Sequence, residues 1–304
     1  MNSPLRIGTR ESPLAIWQAN NLQEKLKTLG IVSTLVAVKS QGDLDLTQPL
    51  YSMGITGIFT KTLDSALLNK TVDIAIHSMK DVPTLLPEGI VQTAVLKRGL
   101  VMDVMVWKNK EVKKKKTRII ATGSLRRKAQ WLALYPNDTV VPLRGNIQTR
   151  LEKLHSTNDW DGAIFAEAAL ERLAIQNETI DKLKDLIPAP AQGALMVVSR
   201  TEDTQIHELL APLNDQESER CTFVERDFLR TLEGGCTAPI GALATYKKGA
   251  IEFTGGLYSL KGNKAEEVSA TFAPEEYKEK GRELAIQLLA HGGADLMKEF
   301  KSNS

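Results

Sequence analysis

Arginines, and one lysine-aspartate pair, recur in this chain where predicted strands give way to helices. Leu5-Arg6-Ile7-Gly8-Thr9 reads as a strand, and Arg10-Glu11-Ser12-Pro13 opens a helix. Val72-Asp73-Ile74-Ala75-Ile76 runs into His77-Ser78-Met79-Lys80-Asp81, and Arg118-Ile119-Ile120-Ala121 into Thr122-Gly123-Ser124-Leu125-Arg126-Arg127. Thr139-Val140-Val141-Pro142-Leu143 is followed by Arg144-Gly145-Asn146, with Arg150 one turn on. Open α/β sheets bind ligands outside the carboxyl ends of their strands. Helix N-termini there already present free N–H groups and partial positive charge. Arg126 and Arg127 in a first helical turn oppose that dipole, so another term must favour them, and a polyanionic ligand would supply it. The pattern predicts a cleft that holds many carboxylates or phosphates.

Guanidinium forks match carboxylates bidentately, and a ligand with several acids needs several of them. Singly, Arg10, Arg126, Arg127, Arg144 and Arg150 read as surface residues; their repetition at equivalent positions is the signal. Arg172 reads equally as a solvated helix position. Lys80-Asp81 precedes Val82-Pro83, which stiffens the turn. A carboxylate beside an ammonium keeps its charge and can stabilise a cation during a reaction, although an exposed, ion-paired turn explains the dipeptide as well. Of the two cysteines, Cys221 lies in a helical run and reads as a small core residue. Cys236 follows Gly234-Gly235, whose conformational freedom leaves a thiol accessible; a generic loop cysteine is inert without thiolate formation. The four histidines are scattered, and neither C-x-x-C nor H-E-x-x-H occurs, which argues against a metal site. No phosphate-loop motif supports nucleotide chemistry.

The elements that must position these groups alternate strand and helix from residue 5 to about 200, an α/β pattern. Ser12 and Pro13 start a helix over 13–29 that Gly30 ends. Residues 31–39 form a strand, 57–69 a helix, and 101–107, 118–122, 139–143, 161–166 and 194–199 further strands. Lys113 to Lys116 reads as a solvated connection. The proline-rich stretch 187–193 marks a boundary. A helix from about 215 to 232 then leads to Glu233-Gly234-Gly235-Cys236, three strands (about 239–246, 250–260 and 266–273) and a last helix over 274–291, a small α+β domain. At 304 residues the chain is long enough for two or three domains. Its net charge of +2 and sparse aromatics disfavour a nucleic-acid binder. The N-terminus lacks the apolar run of a secretory signal, and no apolar run is long enough to span a bilayer, so a reducing cytoplasm is expected.

Six segments, in order and spread over nearly the whole chain, resemble the porphobilinogen deaminase (hydroxymethylbilane synthase) family. They are Arg6 to Ala15, His77-Ser78-Met79-Lys80-Asp81-Val82-Pro83, Gly123 to Arg127, Leu143-Arg144-Gly145-Asn146 with Thr149-Arg150-Leu151, Gln192-Gly193-Ala194, and Leu232-Glu233-Gly234-Gly235-Cys236. The resemblance implies an α/β fold of two lobes like a periplasmic binding protein, plus a small α+β C-terminal domain. The domains would be 1–98 with 194–212, 99–193, and 213–304, with a ligand cleft between the lobes.

It further implies one covalent dipyrromethane cofactor per chain, joined by a thioether to Cys236. Porphobilinogen would lose ammonia to give an azafulvene that the terminal pyrrole of the bound chain attacks. Four additions would give a hexapyrrole, from which hydrolysis releases hydroxymethylbilane for haem-type tetrapyrrole biosynthesis. Asp81 matches the catalytic aspartate, with Lys80 beside it. Cofactor contacts fall on Lys80, Asp81, Ser78, Thr122, Ser124, Arg126, Arg127, Arg144 and Gln192. Substrate contacts fall on Arg10, Ser12, Gln18, Phe59, Arg144, Arg150 and Arg172. The implied protein is a cytoplasmic monomer whose partners are porphobilinogen, the growing polypyrrole chain and the next pathway enzyme, with no nucleic acid, membrane or metal. Leu100-Val101-Met102, Gly123, Ala191, Met196 and Val198 depart from the family pattern, several of them in or beside the return strand. A non-catalytic, two-lobed binder of small polycarboxylates is the alternative, and it leaves Gly-Gly-Cys and Lys80-Asp81 unexplained.

Overall fold

The computed structural model of the chain describes residues 3–39, 60–176, 178–232 and 238–302. Its described residues divide into two compact units, one gathering 3–39, 60–99 and 193–219 and the other the remainder.

The first unit begins with β1 (Leu5–Arg10), α1 (Pro13–Thr28), β2 (Ser33–Val38), α2 (Lys61–Leu68), β3 (Ile74–Ser78) and β4 (Ile90–Val95). Helix α1 starts as its sequence predicts: Ser12 is extended, its hydroxyl accepts the Ala15 N–H, and Pro13 fills the first turn. It buries Gln18, Ala19, Leu22 and Leu26, residues spaced to share one helical face. That face meets Leu5, Ile7, Ile74 and Ile76 of the sheet.

The second unit opens with β5 (Asp103–Trp107), β6 (Ile119–Ala121), α3 (Leu125–Leu134), β7 (Thr139–Val141), α4 (Ile147–Ser156), β8 (Gly162–Ala166), α5 (Glu167–Arg172) and β9 (Thr179–Leu183). The chain then returns to the first unit as β10 (Leu195–Arg200) and α6 (Thr204–Leu210), and α7 (Gln216–Thr231) follows. The two sheets share one plan. In the first, ordered β2-β1-β3-β10-β4, β1 runs parallel to β2 and β3 while β10 is antiparallel to β3 and β4. In the second, ordered β7-β6-β8-β5-β9, β6 runs parallel to β7 and β8 while β5 is antiparallel to β8 and β9. Met196 and Val198, two departures from the family pattern, are both buried in β10, whose register against β4 shifts between Val197 and Val198.

The C-terminal part is α+β. Strands β11 (Ile240–Lys247), β12 (Ala250–Tyr258) and β13 (Ala265–Phe272) form an antiparallel meander, followed by α8 (Tyr277–Leu288) and α9 (Ala294–Ser302). Phe228 of α7 meets Phe253 of β12 edge-on, centroids 5.1 Å apart. A Cβ at Gly281 would lie 2.5 Å from the Val224 carbonyl oxygen, so α8 crosses α7 at backbone contact.

The lysine run is solvated as expected, with Lys114, Lys115 and Lys116 exposed, and three of its ammonium groups reach carboxylates. Lys113 pairs with Asp181 at 2.8 Å, Lys114 with Glu111 at 2.9 Å and Lys115 with the buried Asp161 at 2.6 Å.

Candidate functional site

In the first unit the chemistry-bearing residues cluster at the carboxyl ends of β1 and β3. Arg10 is the last residue of β1, and Ser12 caps the helix after it. Gln18, buried in α1, donates from Nε2 to the Ser78 hydroxyl at 2.7 Å and so ties the helix to the end of β3. Beyond Ser78 the chain makes one 3-10 turn, Met79–Asp81. Met79 and Val82 are buried on either side of Lys80 and Asp81, and the Met79 N–H donates to the Ala194 carbonyl at 3.0 Å. Two apolar anchors thus hold the turn and leave the Asp81 carboxylate exposed. Among the described residues none bonds to it. His77, just before Ser78, is buried, and burial followed by the charge of Arg10 pushes its imidazole down to about 4.

In the second unit the corresponding groups follow β6 and β7. Thr122 is buried, Ser124 caps α3 by accepting the Arg127 N–H, and Asn146 caps α4 by accepting the Thr149 N–H. Gly123, a departure from the family pattern, is required here: its Cβ would lie 2.5 Å from the Leu143 carbonyl oxygen. A cavity of about 60 Å³ beyond the ends of β6 and β7 is lined by residues that include Thr122, Ser124, Lys128 and Arg144. Arg150 donates through Nε to the Gly145 carbonyl at 2.7 Å, and Lys153 reaches the Arg144 carbonyl at 3.2 Å. Arg172 ends α5, and burial lowers the pKa of its guanidinium.

Arg126 and Arg127 correct the sequence argument. The term that favours two arginines at a helix N-terminus is internal, because both pair with Asp103 of β5 at 2.7 Å, all three side chains being buried. Arg127 commits its remaining terminal nitrogen to the Ile164 carbonyl at 3.0 Å, and Arg126 donates to the Ile187 carbonyl at 2.7 Å. Burial opposes ionisation of Asp103, yet the two guanidinium charges and hydrogen bonds from Arg127 and Gln192 hold its carboxyl well below the usual range. Breaking such a buried pair costs about 3–5 kcal/mol. Two cations against one anion leave this cluster one net positive charge, and Arg126 Nε is buried without a hydrogen-bond partner among the described residues.

Gln192 is also drawn into this cluster. Its Nε2 donates to the Val101 carbonyl at 2.8 Å and to Asp103 at 2.9 Å. Ala191 before it has φ 61°, the left-handed region that costs a residue with a Cβ about 1–2 kcal/mol. A glycine at this position would bear no such cost.

The sequence alone assigned no role to Lys128, Asp103 or Glu225. Lys128 sits one turn after Ser124, a spacing that puts both on one helical face and was legible. Asp103 and Glu225 act across 24 and 34 positions of chain, which no local pattern reveals. Phe59 and Cys236 lie outside the described residues. No group of three or more metal-ligating side chains occurs among the described residues.

Comparison with known proteins bears on the whole chain. The family model described as "Porphobilinogen deaminase, dipyromethane cofactor binding domain" matches residues 5–208, and "Porphobilinogen deaminase, C-terminal domain" matches 219–290. The porphobilinogen deaminase of Carboxydothermus hydrogenoformans is 38% identical over 310 residues, covering 100% of this chain and 99% of that one. That of Syntrophobacter fumaroxidans is 38% identical over 302 residues, 97% of each. Among solved structures, an ancestral cationic amino acid solute binding protein aligns with 69% of this chain and 87% of its own at 14% identity and a TM-score of 0.43.

Proposed function

This chain belongs to the porphobilinogen deaminase family, and from that premise we propose what its own residues do in the reaction. The activity is that of a transferase, the head-to-tail condensation of four porphobilinogen molecules to hydroxymethylbilane with release of ammonia, on a covalently attached dipyrromethane. The donor sets fit that group: its pyrrole rings carry carboxylates, and hydroxyls and cations converge around the cavity lined by Thr122, Ser124, Lys128 and Arg144. When bound, dipyrromethane supplies the nucleophilic pyrrole carbon.

The observation that carries the division of roles is the exposed Asp81 carboxylate on its anchored turn, without a bonded partner among the described residues. Its oxygens accept pyrrole N–H groups and oppose the positive charge that develops as ammonia leaves, stabilisation by a fixed charge that needs no reorganisation. A protein that only bound polycarboxylates would gain nothing from a free carboxylate among its cations, and Asp81 is one. Lys80, Arg10, Arg144, Arg150 and Arg172 take acetate and propionate groups. Ser12, Gln18, Ser78, Thr122, Ser124 and Gln192 supply polar contacts, and Phe59 packs near the pyrrole rings. Arg126 and Arg127 contribute the surplus positive charge of their cluster. Cys236 carries the thioether.

Residues 1–98 with 194–212, 99–193 and 213–304 are proposed as the three domains. A cytoplasmic monomer that passes its product to the next pathway enzyme is the proposed setting; no described helix is long and apolar enough to cross a membrane.

The test is intact mass under denaturing conditions, beside a Cys236→Ser variant. Wild type should exceed its chain mass by two pyrrole units and the variant should not. A wild-type chain still unmodified after incubation with porphobilinogen would overturn the assignment. Asp81→Asn should keep the added mass while losing about 100-fold or more in turnover; unchanged turnover would remove Asp81 from the mechanism.

A further inference from the structure

Glu225 lies in the middle of α7 and is wholly buried, yet no step of the reaction described above uses it. A buried carboxylate must be satisfied by donors, and its donors show what it holds. One oxygen accepts the backbone N–H of Ala191 at 2.5 Å. The other accepts the backbone N–H of Ala244, in β11, at 2.7 Å. One side chain therefore fastens the 188–192 segment and a strand of the C-terminal sheet to the same helix.

The residue it fastens is unusual. Ala191 has a positive φ of 61° although it carries a Cβ, so its conformation has to be held by its surroundings. The next residue is Gln192, whose amide reaches Asp103, and Asp103 pairs with both Arg126 and Arg127. If the backbone at 191 relaxed to negative φ, the direction in which residue 192 leaves the turn would change, and its amide would no longer meet Asp103. A continuous chain of bonds thus runs from Glu225 through Ala191 and Gln192 to the arginine cluster.

We propose that Glu225 is a positioning residue for carboxylate binding: it clamps Ala191 in the left-handed conformation that aims Gln192 at Asp103 and so fixes the two arginines. The inference rests on the proposed role of those arginines toward the pyrrole carboxylates. The same helix ends five residues before Cys236, so the carboxylate that sets the arginines belongs to the element preceding the cofactor-bearing thiol.

The clamp has a specific chemical bypass. Glycine adopts positive φ without the cost that alanine bears, so Ala191→Gly makes the clamp at 191 dispensable while leaving the Ala244 bond dependent on Glu225. The experiment uses the holoenzyme with porphobilinogen as substrate. Glu225→Gln presents an amide nitrogen, a donor, to one of the two backbone donors. It should raise KM about fivefold or more, keep kcat within about twofold and retain the dipyrromethane mass. Adding Ala191→Gly to Glu225→Gln should return KM to within about twofold of wild type. In a cycle with Gln192→Ala, the double variant with Glu225→Gln should match Gln192→Ala alone, because both act through one amide.

An unchanged KM in Glu225→Gln overturns the proposal. So does a raised KM that Ala191→Gly leaves unrelieved, which would place the effect of Glu225 outside the clamp at 191. If Glu225→Gln does not accumulate as folded holoenzyme, the Glu225→Gln/Ala191→Gly protein must do so, and its failure to fold is equally fatal. Failure of the underlying functional reading is distinguishable, since wild type would then lack the two-pyrrole mass and turnover whatever stands at position 225.

Discussion

At the scale of single residues, a cation serves a ligand with the donors that its own protein leaves over. Arg127 has all three guanidinium nitrogens engaged internally, at Asp103 and at the Ile164 carbonyl. Arg126 shares Asp103 and holds the Ile187 carbonyl. Lys128 is the contrasting case: it lines the cavity with Ser124 and Arg144, and no described residue takes its ammonium in a hydrogen bond or ion pair. The two kinds of cation should therefore separate in stability. Lys128→Ala should raise KM for porphobilinogen severalfold with kcat and Tm nearly unchanged, because it removes binding and no structure. Arg126→Ala leaves Asp103 still paired with Arg127, so it should raise KM as well and lower stability by about 1–3 kcal/mol through the lost bonds to Asp103 and the Ile187 carbonyl. Steady-state kinetics and thermal unfolding of both variants check this, and a large Tm loss in Lys128→Ala would contradict it. The strand-end pattern made Arg126 and Arg127 legible in the sequence, but not their function. Asp103, the partner that decides it, follows three residues that depart from the family pattern and is distant in sequence from both arginines.

At the scale of elements, helix starts were the most legible feature because caps are local. Ser12-Pro13 begins α1 where the sequence places it, and α7 spans 216–231 against a predicted 215–232. Strands β4 and β9 went unread. Edge strand β9 is exposed at three of its five positions, and Thr-Ile-Asp-Lys-Leu offers no apolar alternation. What positions α3 was equally invisible, since it is a turn far away in the chain. Gly262, between β12 and β13, has φ 72°, and a Cβ there would stand 2.5 Å from the Ala133 nitrogen and 2.8 Å from the Ala129 carbonyl oxygen. The hairpin turn of the C-terminal sheet thus seats directly on the backbone of the helix that carries both arginines. Gly249, in the other hairpin turn, has φ 81° with nothing within 4 Å. Alanine at either position bears the left-handed cost of about 1–2 kcal/mol. Gly262→Ala adds a clash with backbone that cannot rotate away, typically another 1–3 kcal/mol or so. Thermal unfolding should therefore show Gly262→Ala distinctly less stable than Gly249→Ala, with a raised KM in the former alone. Equal Tm losses would mean that the turn does not bear on α3.

At the scale of the whole molecule, the two units should respond to acid in sequence, because their buried ionisable groups differ in kind. In the first unit, His77 is buried and neutral, its imidazole pushed down to about 4 from an ordinary 6.5 by burial and then by Arg10. Between those values the unfolded chain binds a proton that the folded chain refuses. Stability is therefore full above pH 6.5 and falls as pH drops toward 4, by on the order of 3 kcal/mol across the interval. In the second unit, Asp103 is held below the usual carboxylate range, so its contribution persists throughout that interval and is lost only in stronger acid. Asp64, in the first unit, works in the opposite direction, since burial raises its carboxyl and folding there favours the proton. A single pH profile thus mixes signs, and the informative measurement is a difference between two chains and between two units. Amide hydrogen exchange from pH 6.5 to 4, corrected for intrinsic rates, should show β3 and β1 losing protection while β6 and β8 keep theirs. In His77→Leu, which places an apolar side chain where the ring makes no hydrogen bond to a described residue, the loss in β3 should be largely abolished. If β3 in the variant still loses protection as wild type does, the acid response of the first unit has another origin than the buried imidazole of His77.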